Sequence, residues 1–574
     1  MLESLLHDSI VQVRTDGGSA DAIAVTKTIT RNRMRVTLKN TGTEPVAIRE
    51  IALFAGEIPV SDSVSFYGEG YHMLSQYRGT ADSIEVVGSY GDDKSFFSLP
   101  DNPHDGKLYV LYYLLELTDG GQTALLAFTS CEKFLGKIRF RGKYLEIVQD
   151  AENLALAPGA TWNMEELSLF TGTDRAALYE SMAAAINDNH PPMVWDTIPT
   201  GWCSYYCMGK MEPQGLYDNA AAMSECIPEL GMIQIDAGTN TTDGDWLTPR
   251  FEDDLATICR KVREQGVEAG GYCSPFIVNM DSNLAGEHPD WLVKDETGKP
   301  TNRCSHNKSW YILDGSHPEA RAYLRKIVRY MHDECGLRYF KLDFLSYGAL
   351  PAGTRYDASM TSVEAYRLGM KAIVEEVGAD SFVLACNAPF WPTLGLCHGN
   401  RTTNDIFRDW KHVRMNALEQ FYRNWQHQRL WINDPDCIVL EKLDIERRNG
   451  IRPSTLTDDE FEFHKAFAIA CGGMILSGDL LYELSERNID ALCKMMDSMG
   501  ESAVFDDTTH QVGRFREKRL LCLFNWEDTS KTLTVPMEGA GQLTNLWTGA
   551  PVCAYSGGSF AVELPAHGGM VLTY

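Results

Sequence analysis

Between residues 199 and 500 short strand-like segments alternate with amphipathic helical ones, and the strand candidates number eight: 200–204, 231–236, 268–274, 338–344, 381–387, 400–405, 430–433 and 473–477. Alternation of this kind is the signature of a parallel α/β architecture. Eight strands close a (β/α)8 TIM barrel, and polar residues gather at the C-terminal ends of these segments, where such barrels carry their chemistry. A doubly wound open sheet is the competing arrangement, but no GxGxxG fingerprint follows a strand to favour it. The clearest unit begins at Ser316, where Ser-His-Pro-Glu supplies an N-cap, a first-turn proline and a glutamate three residues on. Ala320, Leu324, Ile327, Val328 and Met331 then fall on one helical face, and Gly336 ends the helix.

The flanks have a different texture. From residue 11 to 166 the chain reads as strands, with alternation at 33–38, a turn at 40–42, resumption at 46–53, and turn clusters at 88–93 and 119–121. A helical stretch at 174–187 then leads through His190-Pro-Pro192 into the barrel. The last 75 or so residues return to strands separated by glycine-rich turns. The expected organisation is an N-terminal β-sandwich with a helical linker over 1–190, a barrel over 191–499, and a small C-terminal antiparallel β-sandwich over 500–574. A chain of 574 residues exceeds what one core supports, which agrees with three domains.

A net charge of -27 and a pI near 4.9 repel phosphate backbones and anionic bilayers, so nucleic acid and membrane surfaces are excluded as expected partners. Fifteen cysteines lie scattered in apolar segments without close-spaced pairs, which suits free thiols in a reducing compartment. Cys304, His306 and His317 lack a second ligand pair at zinc spacing, so loop and core roles are expected and no metal or cofactor is called for. The first residues lack a basic region followed by an apolar run, and no window approaches a membrane span, so a cytoplasmic location is expected.

Two aspartates stand out as chemistry. Asp343 closes the segment 338–344, and Asp405 closes 400–405. Two carboxyl groups delivered from different strand ends into one cleft are the equipment of a glycosidase, one as nucleophile and one as proton donor. Either could instead be a helix N-cap, and Asp409 competes with Asp405. Lys341 lies two positions before Asp343, so on a strand both side chains face the same side, where a lysine favours the ionised carboxylate. Arg401 would pull the Asp405 carboxyl toward its ionised form unless aimed elsewhere. Trp291, Trp310 and Trp391 could stack on a sugar or pack in the core, and Asp434 and Asp436 could touch ligand, with turn-forming roles favoured.

The ordered series Gly201-Trp-Cys-Ser-Tyr205, Gln234-Ile-Asp236, Gly244-Asp-Trp246, His288-Pro-Asp-Trp291, His317-Pro-Glu-Ala320, Lys341-Leu-Asp343, Ala388-Pro389, Arg401 through Asp405, and Asn433-Asp-Pro-Asp436 resembles glycoside hydrolase family 36, the α-galactosidases and relatives of clan D. The resemblance implies Asp343 as nucleophile and Asp405 as acid/base in a hydrolysis with retention. It implies sugar-hydroxyl contacts from Asp236, Lys341 and Arg401, a pocket lined by Trp202 and Trp246, and a C2-reading region at Cys386 and Asn387. It implies a small carbohydrate substrate and a homo-oligomer.

Three positions depart from the family pattern: Ala237 stands where a second aspartate is usual, Asn387 lies in the C2-reading region, and Tyr205 replaces a tryptophan. An α-N-acetylgalactosaminidase or another clan D glycosidase, a transglycosylase and a non-catalytic sugar-binding protein are the alternatives.

Overall fold

The computed structural model describes residues 2, 4–80, 83–88, 109–208, 211–305, 308–442 and 454–574. The turn residues 89–93, His306 and the side chain of Cys304 lie outside the described residues.

The N-terminal part is two antiparallel sheets face to face, one five-stranded and one nine-stranded. In the strand Arg33–Asn40 the even-numbered residues, Met34, Val36, Leu38 and Asn40, are the buried ones, as the alternation dictates. Close approach of the sheets is set by glycines: a Cβ on Gly68 would lie 2.5 Å from Leu111 of the opposite sheet, and one on Gly136 would strike the Phe128 ring at 2.3 Å. The linker helix α1 (Arg175–Asn189) is capped by Asp174, whose carboxylate accepts from the Ala177 amide at 3.1 Å.

The central part is a parallel sheet of eight strands: β1 (Thr200–Cys203), β2 (Met232–Gln234), β3 (Glu268–Cys273), β4 (Tyr339–Leu342), β5 (Phe382–Ala385), β6 (Gly399–Arg401), β7 (Ile432–Asp434) and β8 (Ile475–Ser477). Neighbours follow chain order, and β8 pairs with β1. The ring is nearly closed between β7 and β8, where the Met474 amide donates to the Asn433 carbonyl at 3.0 Å. All eight strands fall within or beside the segments read from the sequence. A small antiparallel sheet of Ile277–Asn279, Arg303–Ser305 and Lys308–Ile312, not anticipated, is inserted after β3.

Helix α2 (Pro318–Arg329) buries Ala320, Leu324, Ile327 and Val328, and Met331 follows them into the core. Its cap is His317, whose Nδ1 accepts from the Glu319 amide at 3.2 Å, and not Ser316, whose hydroxyl donates to Asp314. Proline prefers the first helical position, which makes the residue directly before Pro318 the cap. Helix α3 (Trp410–Arg423) starts at Asp409, and helix α4 (Asp458–Cys471) opens on a complete capping box of Thr457 and Glu460.

The C-terminal part is one six-stranded antiparallel sheet containing a long hairpin, Lys531–Asn545 with Pro551–Leu564. One set of side chains, including Leu521, Leu523, Val535 and Leu572, forms a separate apolar cluster. The alternate residues Cys522, Phe524 and Val571 join the main core. The sheet meets α4 closely: a Cβ on Gly569 would lie 2.5 Å from the Phe463 backbone.

Candidate active site

Strand β4 presents Lys341 and Asp343 on the same side, as strand parity requires, and both are buried. The Lys341 ammonium pairs directly with Asp236, at the end of β2, at 2.8 Å. Asp236 also accepts from Gln234 Nε2 at 2.9 Å and from the Ala237 amide at 2.8 Å. Burial opposes both charges, but the attraction prevails: Lys341 is held well above its ordinary value by Asp236, with Cys386 and Asp343 adding to it, and the Asp236 carboxyl is lowered chiefly by Lys341. The direct partner of Lys341 is thus Asp236, with Asp343 acting on the ammonium from the same side of the strand.

The Asp343 carboxylate is held by two donors on one oxygen: Oδ1 accepts from its neighbour's amide, Phe344 N, and from Asn387 Nδ2, each at 2.7 Å. Both residues adopt left-handed backbone, Phe344 at φ 50° and Asn387 at φ 46°, at the ends of β4 and β5. A bulky residue in that region costs free energy and persists only where its surroundings impose it, which is common at active sites. The other end of the Asn387 amide, Oδ1, is buried without a partner.

Strand β6 ends at Arg401, and a turn over 402–404 carries Asp405 outward, its side chain 44% exposed. Arg401, fully buried, donates to Asp405 Oδ1 at 3.1 Å, to the Tyr206 hydroxyl at 3.3 Å and to the Asn404 carbonyl, and it is paired most closely with Asp436. Asp436 also accepts from the Ile406 amide at 2.7 Å. Burial pushes the Asp436 carboxyl up to about 6; Arg401 opposes the rise, and Asp405 and Asp434 add to it. Two carboxylates, Asp405 and Asp436, thus share one guanidinium.

Asp436, for which a turn-forming role is favoured over ligand contact, is the closest partner of Arg401. It does contribute to the turn, donating its amide to Asp434 Oδ1 at 2.9 Å from left-handed backbone. Asp409 is the cap of α3, both oxygens engaged by the His412 ring and one also by its amide.

Two groups sense both leading carboxylates. The buried Cys386 thiol is raised by burial and then by Asp343, with Lys341, Arg401 and Asp405 all within electrostatic reach. The Tyr205 ring is 51% exposed, and its hydroxyl is raised by burial, Asp405, Asp236 and Asp343, with Lys341 opposing. Cys386 is fully buried at the end of β5, and Tyr205 is exposed just after β1. Tyr205 was legible only as a departure from a pattern, and its place in the site follows from the fold.

The aromatic expectations divide. Trp202 is fully buried with its indole N–H donated to the Asp479 carbonyl at 2.6 Å, so it packs the barrel wall and presents no face to a ligand, correcting the expectation that it lines the pocket. Trp246 is nearly buried, 6.1 Å from Tyr272, whose ring lies 5.7 Å from the Lys341 ammonium. Trp310 packs against Phe344 at 5.0 Å. Trp391 is core: fully buried, it stacks on Tyr113 of the N-terminal sandwich. Trp291 stacks on His288 at 3.7 Å, beside a separate cleft of about 470 Å³.

Comparison with known proteins agrees with this construction. Residues 231–383 match the Melibiase family model. Over 103 residues the chain is 31% identical to the alpha-galactosidase of Escherichia coli, covering 17% of this chain and 14% of that protein. Matches to the curated relatives span only 11% to 18% of their lengths.

Two solved structures resemble the whole. One is TtGalA, the alpha-galactosidase of Thermus thermophilus in complex with p-nitrophenyl alpha-D-galactopyranoside, with TM-score 0.64, 19% identity, and 86% of this chain and 98% of that chain covered. The other is the GH36 alpha-galactosidase AgaA of Geobacillus stearothermophilus, with TM-score 0.62, 12% identity, and 96% and 81% covered. At these identities the structural likeness speaks for the fold, and the family model and local identities speak for the barrel. The segment 231–383 of the barrel is thus a Melibiase domain, of the clan D, α-galactosidase-like kind.

Proposed function

We propose that the protein is a retaining α-glycosidase that releases terminal α-linked galactose or a galactose-like sugar. Asp343 attacks the anomeric carbon while Asp405 gives its proton to the departing oxygen; Asp405 then takes a proton from water, which displaces Asp343 and frees the sugar. The observation that carries the reading is that Asp343 and Asp405 follow the C-terminal ends of β4 and β6, on either side of β5 in one parallel sheet, with Asn387 from the end of β5 bound to Asp343 and the buried Lys341–Asp236 pair beside it.

Asp343 suits attack because two N–H donors hold one oxygen and fix the orientation of the carboxylate. Asp405 suits proton transfer because it is partly exposed and Asp436 takes the larger share of Arg401. The Lys341–Asp236 pair offers charged donors and acceptors to sugar hydroxyls. Cys386, Asn387 and Trp246 complete the surroundings of the sugar.

A second reading of the glycone has support in Ala237, which supplies no carboxylate beside Asp236, and in Asn387, whose amide is spent on Asp343. Losing a charged hydrogen bond to substrate costs about 1.5–3 kcal/mol, enough to change sugar preference toward an N-acetylgalactosaminide or another clan D substrate.

The test is a panel of aryl α-glycosides with product stereochemistry followed by NMR. Turnover of the galactoside with retention is expected, and Asp343→Ala should lower it by about four orders of magnitude or more. Binding of sugar without cleavage of any glycoside would instead favour a non-catalytic sugar-binding protein.

The same reading takes 1–190, 191–499 and 500–574 as the three working units. It places the protein in the cytoplasm, supported by fourteen unpaired cysteines among the described residues. It also takes the protein as a homo-oligomer, which light scattering of the purified chain would test.

A further inference from the structure

The turn between Arg401 and Asp405 is gripped by one face of α3. Asn416, Glu419, Gln420 and Arg423 stand at helical spacings of three, four and seven, so they form one stripe. Asn416 Nδ2 donates to the Asn404 carbonyl at 2.9 Å. The fully buried Glu419 accepts the Asn404 amide at 2.8 Å on one oxygen and the Asn404 side-chain amide on the other. Gln420 accepts from the Thr402 hydroxyl, and Arg423 donates to the Thr402 carbonyl at 2.6 Å.

The same helix is fixed from behind by the N-terminal sandwich. Arg423, fully buried over the Phe390 ring, is paired with the equally buried Glu69 and donates to the carbonyls of Met73 at 2.9 Å and Ser75 at 3.0 Å. Gln76 Nε2 donates to the Glu419 carbonyl at 3.0 Å. The barrel strands carry their own ladder of backbone hydrogen bonds, to which these side chains do not belong. A fully buried ion pair is also a poor source of net stability, because desolvation offsets its attraction.

We propose that this stripe of α3, anchored on Glu69, is the positioning element that holds Asp405 for proton transfer, so that the sandwich sets the geometry of the acid/base. The inference rests on the assignment of Asp405 above.

The test uses the full chain with Glu419→Ala, Glu419→Gln and Glu69→Gln, folding being checked by circular dichroism. The readout is kcat/KM on two α-glycosides of the sugar that the wild type cleaves, one with a dinitrophenyl leaving group that needs no proton and one with a phenyl leaving group that does. A misplaced acid should cost Glu419→Ala about 100-fold on the phenyl glycoside and leave the dinitrophenyl glycoside within about threefold. Glu69→Gln should follow the same pattern at about tenfold, since Arg423 keeps its carbonyl partners. Equal losses on both substrates, or none, would overturn the inference.

Hydrogen exchange at 402–405 decides the clamp independently of turnover. Exchange should quicken in Glu419→Gln, and unchanged exchange would sink the proposal even in a chain that cleaves nothing. A wild type inactive on every α-glycoside would overturn the proposed function alone.

Discussion

At the residue scale the decisive arrangement is the sharing of Arg401 by Asp405 and Asp436, with Asp434 acting on Asp436. Asp436 releases its proton near pH 6, above the ordinary carboxyl value, because burial and two neighbouring carboxylates oppose its charge more than Arg401 favours it. The folded chain therefore binds that proton more tightly than the unfolded chain. The cost to stability accrues as pH rises from the unfolded value to about 6 and is constant above it. Above pH 6 the ionised Asp436 is the closer partner of Arg401.

Asp436→Asn hands the whole guanidinium to Asp405. The alkaline limb of the kcat/KM profile should then move toward acid by about one unit or more, read by titrating activity on a phenyl α-glycoside. An unmoved limb would remove Asp436 from the site. The pairing was not legible in the sequence, because Asp436 and Arg401 belong to different strands and meet only in the closed barrel. Asp343 with Lys341 was legible because strand parity puts both on one side. The identity of the lysine's partner was not, since Asp236 comes from a strand two places away.

At the element scale the eight strands were readable because each is a short apolar run closed by polar residues, and the ring leaves few other orders. What periodicity blurs is the ends. The N-cap of α2 moves from Ser316 to His317 because Pro318 fixes the first helical position, and Asp405 and Asp409 look alike as strand-to-helix aspartates. The structure separates them: Asp409 is bound to the His412 amide and ring, whereas Asp405 reaches Arg401 and open space. Asp409→Ala should accordingly cost about 1 kcal/mol of stability by loss of a cap while turnover is kept. Denaturant midpoints together with initial rates check this, and a collapse of turnover in a folded Asp409→Ala protein would reverse the assignment of the acid/base.

At the scale of the whole molecule the change of texture along the chain marks three parts, but their interlocking is invisible to it: Arg423 and Glu69 are 354 residues apart in sequence and touch with both side chains fully buried. The sandwich reaches the barrel at two further points beside the site. Tyr71 donates its hydroxyl to the Ala349 carbonyl at 3.1 Å, in the turn following Asp343. Trp391, after β5, stacks on Tyr113 at 4.7 Å and 5° and donates to the Phe128 carbonyl at 2.6 Å.

An interface built of buried charge and stacked rings cannot open without stranding both, so sandwich and barrel should unfold in one calorimetric transition. Trp391→Ala removes a fully buried ring stacked across it, at a cost of about 3–5 kcal/mol. Calorimetry of that variant should show the shared transition lowered as a unit. If the parts were independent bodies, one of two resolved transitions would move and the other would stay.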